Sequence, residues 1–274
     1  MPLGPPSRLA PFRVGLRQLV QGRTRLERAP GRAGGAGWED RGVGDERSEE
    51  IAANLAEVRA RIEKAAQAAG RDPAELTLVG VTKTFSVEDA RRLLALGVAD
   101  LGEARDQEAK VKARDLPEAR WHFLGRLQRN KAGSVAAYTT VLHSFDRPEL
   151  ITPLANGVEK NDRAPLDVLI QVSLDGDPDR GGASVDTVTA LADEAAATGS
   201  LHPRGVMAVA PMGADPDAAF ATLREVAERL RSAHPDATVI SAGMSADLEA
   251  AVKNGATHLR IGTALLGGRP PLRR

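Results

Sequence analysis

The sequence predicts a single (β/α)₈ barrel of the TIM type behind a disordered N-terminal extension, and three observations predict it. Eight short apolar segments alternate with longer amphipathic ones over about 200 residues, as helices packed outside a parallel sheet require. The first of those segments runs into VTKTFSVED rather than a GxGxxG fingerprint, which disfavours the open doubly wound sheet, the runner-up architecture. The composition also breaks at residue 48, before which nine Arg, no Lys, nine Gly and five Pro leave little that sustains a helix or strand.

Residues 1–48 are therefore expected to be a disordered Arg/Gly/Pro-rich extension, and 49–270 to form the barrel. Arg8, Arg13, Arg17, Arg23 and Arg25 precede the first acidic residue, Glu27, a pattern suited to an organellar transit peptide or a basic arm. No continuous apolar region follows them, so a secretory signal is not expected. A start of translation nearer Val43 is a further expectation from the same break, which the N-terminal mass of the native protein would settle.

From Ser48 the pattern turns regular. Ile51, Leu55, Val58 and Ile62 recur at helical spacing, Ser48 heads the run with acids in its first turn, and Gly70 closes it. Strands are expected at 76–82, 98–102, 121–125, 140–145, 166–173, 203–209, 237–243 and 257–262. Helical patterns fill 86–96, 103–114, 128–136, 147–159, 184–199, 215–233 and 245–254.

Composition narrows the function. With 37 basic against 37 acidic residues and 3% aromatics, neither global charge nor stacking surface supports nucleic-acid binding by the barrel. The absence of cysteine removes disulfides and thiolate chemistry and fits a cytoplasmic location. No apolar run approaches the roughly 20 residues of a membrane helix. The five histidines show no metal-ligand spacing, and no apolar stripe beyond those the helices need stands out, so a monomer is expected.

Barrel chemistry sits at the C-terminal ends of strands. Lys83 ends the first strand, and Ser86 with Asp89 three residues on opens the next helix as a capping-box-like start. A lysine against an apolar barrel mouth is a usable amine nucleophile, although a lone loop lysine is more often merely solvated. SAGMSADLEA (241–250) reads as a strand, a glycine turn and a helix opened by Ser245, and RIGTALLGG (260–268) as a strand ending in a second glycine turn. Taken singly, Ser245 is an ordinary helix cap and Gly262 an ordinary turn. Together these last two turns form the phosphate corner common in such barrels, beside the first strand and Lys83, which suggests a phosphorylated aldehyde.

VTKTFSVEDA, LGEARDQE, WHFLGRLQRNK, ISAGMSADLEAAV and HLRIGTALLGG resemble the successive motifs of the pyridoxal phosphate homeostasis protein (YggS/PROSC) family, over residues 49–268. The resemblance implies a barrel like the N-terminal domain of alanine racemase, with pyridoxal 5′-phosphate at the strand ends. It implies that Lys83 holds the cofactor as a reversible Schiff base, that Ser245, Gly262 and Thr263 grip its phosphate, and that Arg260 faces the pyridine nitrogen. It adds Gly243, Met244, Met207 and His122 to the expected contacts, His122 being equally readable as a hydrogen-bonded barrel histidine. Gln128, Asn130 and Lys131 belong to the third-strand motif. Ala104 stands where the family usually has Asn, and Arg126 where it usually has His.

A guanidinium keeps its proton, so Arg260 would leave the pyridine nitrogen unprotonated and the ring a poor electron sink. Racemisation in alanine racemase uses a tyrosine from a second domain; here Tyr138, the only tyrosine, precedes the fourth strand, and six residues follow Gly268. The expected role is a non-catalytic carrier that tunes free pyridoxal 5′-phosphate or passes it to dependent apoenzymes. A racemase-like enzyme and a cofactor-free aldolase or phosphosugar enzyme using Lys83 are the alternatives.

Overall fold

Alternating strands and helices close on themselves in this chain. The computed structural model describes residues 43–177 and 180–268. The strands are β1 (Thr77–Val81), β2 (Asp100–Glu103), β3 (Arg120–Phe123), β4 (Val141–Phe145), β5 (Leu166–Gln171), β6 (Leu201–Met207), β7 (Val239–Ser241) and β8 (His258–Ile261). They pair in parallel, in chain order, and β1 closes on β8 with Val79 opposite Arg260 and Gly80 opposite Ile261. All eight expected strands are present, so the barrel, not the open sheet, is the fold.

Helix α1 (Val43–Ala68) precedes the barrel, and α2 (Val87–Ala95), α3 (Asp106–Asp115), α4 (Ala132–Ala136), α5 (Ile151–Lys160), α6 (Val188–Ala196), α7 (Pro216–Ala233) and α8 (Leu248–Lys253) connect the strands. A short α9 (Thr263–Leu266) follows β8 and was not anticipated. The strand interiors are β-branched or leucine-rich because both faces are covered, as parallel sheets require. Val168, Leu169, Ile170, Val206 and Ile261 are fully buried.

Helix α1 begins five residues before Ser48, which corrects both the expected cap and the boundary at 48. Ser48 lies inside the helix and accepts a hydrogen bond from Arg92 Nε, while Arg47 donates to Asp89 Oδ1 and to the Leu266 carbonyl. Those tertiary partners outweigh the local capping signal, so residues 43–48 belong with the barrel. The remainder of the expected disordered extension lies outside the described residues. Gly70 does close α1, with φ +65°. None of the helices among the described residues is long and apolar enough to cross a membrane.

One glycine is indispensable to closure. Register slips between β5 and β6 at Val168/Leu169, and Gly205, at the slip, has φ +150° with its missing Cβ position only 1.9 Å from the Val239 carbonyl oxygen. An L-residue there must distort the backbone against β7. Gly205→Ala is expected to cost about 3 kcal/mol or more, read as a lowered urea midpoint with unchanged slope.

Candidate functional site at the strand ends

Lys83 sits two residues beyond β1, half-buried, on a segment pinned from both sides by α3. Lys112 Nζ donates to the Thr82 carbonyl at 2.8 Å and to Glu103 Oε1 at 2.5 Å, and Thr82 Oγ1 donates to the same carboxylate oxygen at 2.6 Å. On the other side, the Thr84 amide donates to Glu108 Oε2 at 3.0 Å. Thr84 itself has φ +70°, an uncommon conformation for a β-branched residue that survives only where its surroundings impose it. Ser86 then caps α2, its Oγ accepting from the Asp89 amide at 3.1 Å. The Asp89 carboxylate turns instead to Arg47 and Arg92, so only half of the expected capping box forms.

The last two turns meet beside this strand. A Cβ on Gly262 would lie 3.3 Å from both Cβ and the carbonyl oxygen of Val81, so the absence of a side chain lets the β8–α9 turn approach the strand that carries Lys83. Gly243, with φ +88°, ends the β7 segment; its carbonyl accepts from the Arg260 amide at 3.0 Å, and a Cβ there would strike Ala251 Cβ at 2.7 Å. Ser245 does not cap α8, contrary to expectation. Asp247 is the cap position, its Oδ1 accepts from the Met244 amide at 2.6 Å, and α8 starts only at Leu248. Ser245 Oγ instead accepts from the Ala264 amide at 3.3 Å, so the hydroxyl ties the two turns together and keeps its own proton to donate. Thr263 and Met244 are exposed, while Met207 is buried at the end of β6.

Arg260 points into the barrel, 5% exposed. Its Nη1 donates to Ser241 Oγ at 2.6 Å and its Nη2 to the Ala208 carbonyl at 2.8 Å. Burial lowers its pKa to about 10, with Asp247 acting in the opposite sense, so it remains cationic at neutral pH with further N–H groups to offer. His122 lies deeper in the same interior. Its Nδ1 faces His143 Nε2 at 2.8 Å and its Nε2 faces Asp100 Oδ1 at 2.9 Å. Both ring nitrogens are engaged with protein, the arrangement of a hydrogen-bonded barrel histidine.

The third-strand motif follows the C-terminal end of β3. Gln128 and Asn130 are exposed, and Lys131 lies 4.0 Å from Asp106. The Tyr138 hydroxyl donates to Asp106 Oδ1, and its pKa is raised, by burial first and by the Asp106 charge next. Arg126 lines a cleft of about 520 Å³ with Asp146, Arg147 and Gly181. Among the described residues there is no cluster of three or more His, Asp or Glu able to hold a metal ion.

Sequence reasoning missed Asp100, Glu103, Lys112, His143 and Ser241. A signal for Lys112 existed: it shares the buried face of α3 with Ala109 and Ala113, where an unpaired lysine would be costly. Asp100 and His143 were likewise polar residues inside segments otherwise apolar enough to be core.

The chain is similar to known proteins over most of its length. The family model described as alanine racemase, N-terminal domain, matches residues 53–270. The pyridoxal phosphate homeostasis protein of Mycobacterium tuberculosis is 40% identical over 247 residues, covering 82% of this chain and 95% of its own. That of Escherichia coli K12 is 35% identical over 228 residues, covering 80% and 97%. Among solved structures, PipY of Synechococcus elongatus PCC7942 with pyridoxal phosphate bound superposes with a TM-score of 0.69 at 32% identity, covering 79% of this chain and all of that one. An alanine racemase from Clostridium difficile, 14% identical with a TM-score of 0.66, shares the barrel alone. With these relatives spanning nearly their whole length, the chain belongs to the pyridoxal phosphate homeostasis protein family, built on the alanine racemase N-terminal-domain barrel.

Proposed function

We propose that this chain binds pyridoxal 5′-phosphate at the mouth formed by β1, β7 and β8, through Lys83, and serves its homeostasis as a carrier without catalytic turnover. The observation that carries this reading is the donor set. A primary amine at the end of β1, the hydroxyls of Ser245 and Thr263, and the buried guanidinium of Arg260 come from three neighbouring strands and are all donors. Such a set fits a ligand that is anionic at one end and carries an acceptor nitrogen and a carbonyl. PipY, a relative at 32% identity, has been solved with pyridoxal phosphate, and the curated relatives are named for its homeostasis.

When bound, the cofactor supplies an aldehyde carbon that a primary amine captures reversibly with loss of water. This chain's residues then divide the work. The Lys112 and Glu108 contacts hold the backbone around Lys83, and with it the origin of the amine. Ser245, Gly262 and Thr263 form the corner for the phosphate, with Gly243 and Met244 shaping its β7 side. Arg260 stays protonated and donates to the pyridine nitrogen, which disfavours stabilising a carbanion in the ring. Tyr138, tied to Asp106 with a raised pKa, is a poor candidate for the opposing base. Dependent apoenzymes are the natural recipients, because an incoming lysine can take the aldehyde by exchange.

Mixing the purified protein with pyridoxal 5′-phosphate, reducing with borohydride and mapping peptides is expected to place one phosphopyridoxyl group on Lys83. A parallel incubation with amino acids in deuterated water should show no exchange of α-protons. An adduct on another lysine would overturn the site, and sustained exchange would overturn the carrier role.

A further inference from the structure

The barrel interior holds a continuous line of hydrogen bonds running from the strand ends to the strand starts. Arg260 Nη1 donates to Ser241 Oγ at 2.6 Å, and that oxygen lies 3.0 Å from His143 Nδ1. His143 Nε2 is 2.8 Å from His122 Nδ1, and His122 Nε2 is 2.9 Å from Asp100 Oδ1. Asp100 is the first residue of β2, and its other oxygen accepts from Arg120 Nη2 at 2.5 Å, at the start of β3. Every group from Arg260 to Asp100 is buried, and they come from β8, β7, β4, β3 and β2.

The two ends, with the single proton of Ser241, constrain the directions between them. A guanidinium only donates and a carboxylate only accepts. Ser241 Oγ, already accepting from Arg260, has one proton to give, and His143 Nδ1 is its neighbour. His143 Nδ1 is then an acceptor, so its proton sits on Nε2 and is donated to His122 Nδ1. His122 must in turn carry its proton on Nε2, which meets the Asp100 carboxylate. All four links are satisfied with both imidazoles neutral.

The reverse arrangement is frustrated. If His143 donated from Nδ1, Ser241 Oγ would accept from both neighbours and its own proton would have no acceptor among the hydrogen bonds of the described residues, while His122 would need a second proton to avoid opposing Asp100 with a bare nitrogen. Burial holds His143 well below the ordinary imidazole value, and the neighbouring Arg260 charge acts in the same sense. His258, whose ring lies 6.2 Å from that of His122, is lowered to about 4, again chiefly by burial. Asp100 is pushed up by burial, but hydrogen bonds from His122 and Arg120 more than reverse this and keep it ionised.

We infer that Asp100, at the mouth opposite the candidate cofactor site, is a positioning residue for Arg260. Through His122 and His143, each locked as the Nε2–H tautomer, it leaves a lone pair of Ser241 Oγ to the guanidinium and so fixes where Arg260 points. No carboxylate touches Arg260 among the described residues, and this chain brings the influence of one to it by successive polarisation of hydrogen bonds. The effect on cofactor binding rests on the proposed function, with Arg260 at the pyridine nitrogen; the tautomers do not.

Long-range ¹H–¹⁵N correlation of the imidazoles in the full-length protein without cofactor is expected to show His122 and His143 both neutral and protonated at Nε2. In Asp100→Asn, an amide can present either oxygen or NH₂, so the pure Nε2–H populations should become mixed or inverted. Pyridoxal 5′-phosphate should then bind roughly threefold to tenfold more weakly, with a displaced absorption band. A proton on Nδ1 of either histidine in the unsubstituted protein, or an imidazolium at neutral pH, would overturn the chain even if Asp100→Asn does not fold. Altered tautomers with unchanged affinity and band would overturn the positioning role. A borohydride adduct absent from Lys83 would count against the cofactor site while leaving the tautomer result standing.

Discussion

Lys83→Ala is expected to fold like the parent, within about 1 kcal/mol, and to lose the covalent adduct with pyridoxal 5′-phosphate entirely. The side chain lies beyond the end of β1, outside the packed layers of the barrel, so its removal opens no core cavity. Affinity should fall at least about a hundredfold, on the order of 3 kcal/mol, because only the phosphate and ring contacts remain. Titration followed by absorbance, together with borohydride trapping and peptide mapping, checks both parts. Trapping on Lys131 or Lys112 in the variant would show that the amine had been assigned to the wrong residue. Lys112 is a stringent control, since its ammonium lies 2.8 Å from the carbonyl adjoining Lys83 yet is 3% exposed and committed to Glu103.

The second large effect concerns that buried pair. Lys112→Met should destabilise the barrel by about 3–5 kcal/mol at neutral pH, because Glu103, fully buried, loses its counter-ion. The pH dependence has a definite sign. Burial raises the Glu103 carboxyl above its ordinary range, against the attraction of Lys112 and the hydrogen bonds from Lys112 and Thr82. A carboxyl whose folded pKa exceeds its unfolded one favours the fold below the ordinary carboxylate range, and that advantage is lost as pH rises through the folded value. Without Lys112 the upward push grows, so the variant should be weakest at neutral and alkaline pH and recover partly in acid, where Glu103 takes up a proton. Urea titrations at several pH values read this directly. Adding Glu103→Leu should restore most of the stability at neutral pH, whereas cofactor affinity should stay reduced, because the Thr82 carbonyl no longer has its donor. Full recovery of affinity in the double variant would mean that the α3 clamp does not position Lys83.

The two experiments separate layers that the sequence presents very differently. Lys83 was legible because a β-branched apolar run ends on it and Ser86 restarts a helix three residues later; both are local signals. Glu103 and Lys112 were not. Nine residues apart across a strand and a helix, they meet only because α3 folds back over the ends of β1 and β2. Ser245 shows the same division in miniature. Its local pattern reads as a helix cap, yet Asp247 takes that place, and the hydroxyl instead links to Ala264 across two consecutive turns.

By itself the sequence determined the order of eight strands, the helices between them, the amine at the end of the first and the glycine turns after the last two. Those are properties of periodicity and of neighbouring residues. Only the tertiary structure decided which polar side chains share the interior. Asp100, His122, His143, Ser241 and Arg260 stand on five strands and become a single chain through the stagger with which the barrel closes. That stagger is set by strand pairings between residues as much as 181 apart, such as Thr77 with His258, and short-range patterns carry no information about it.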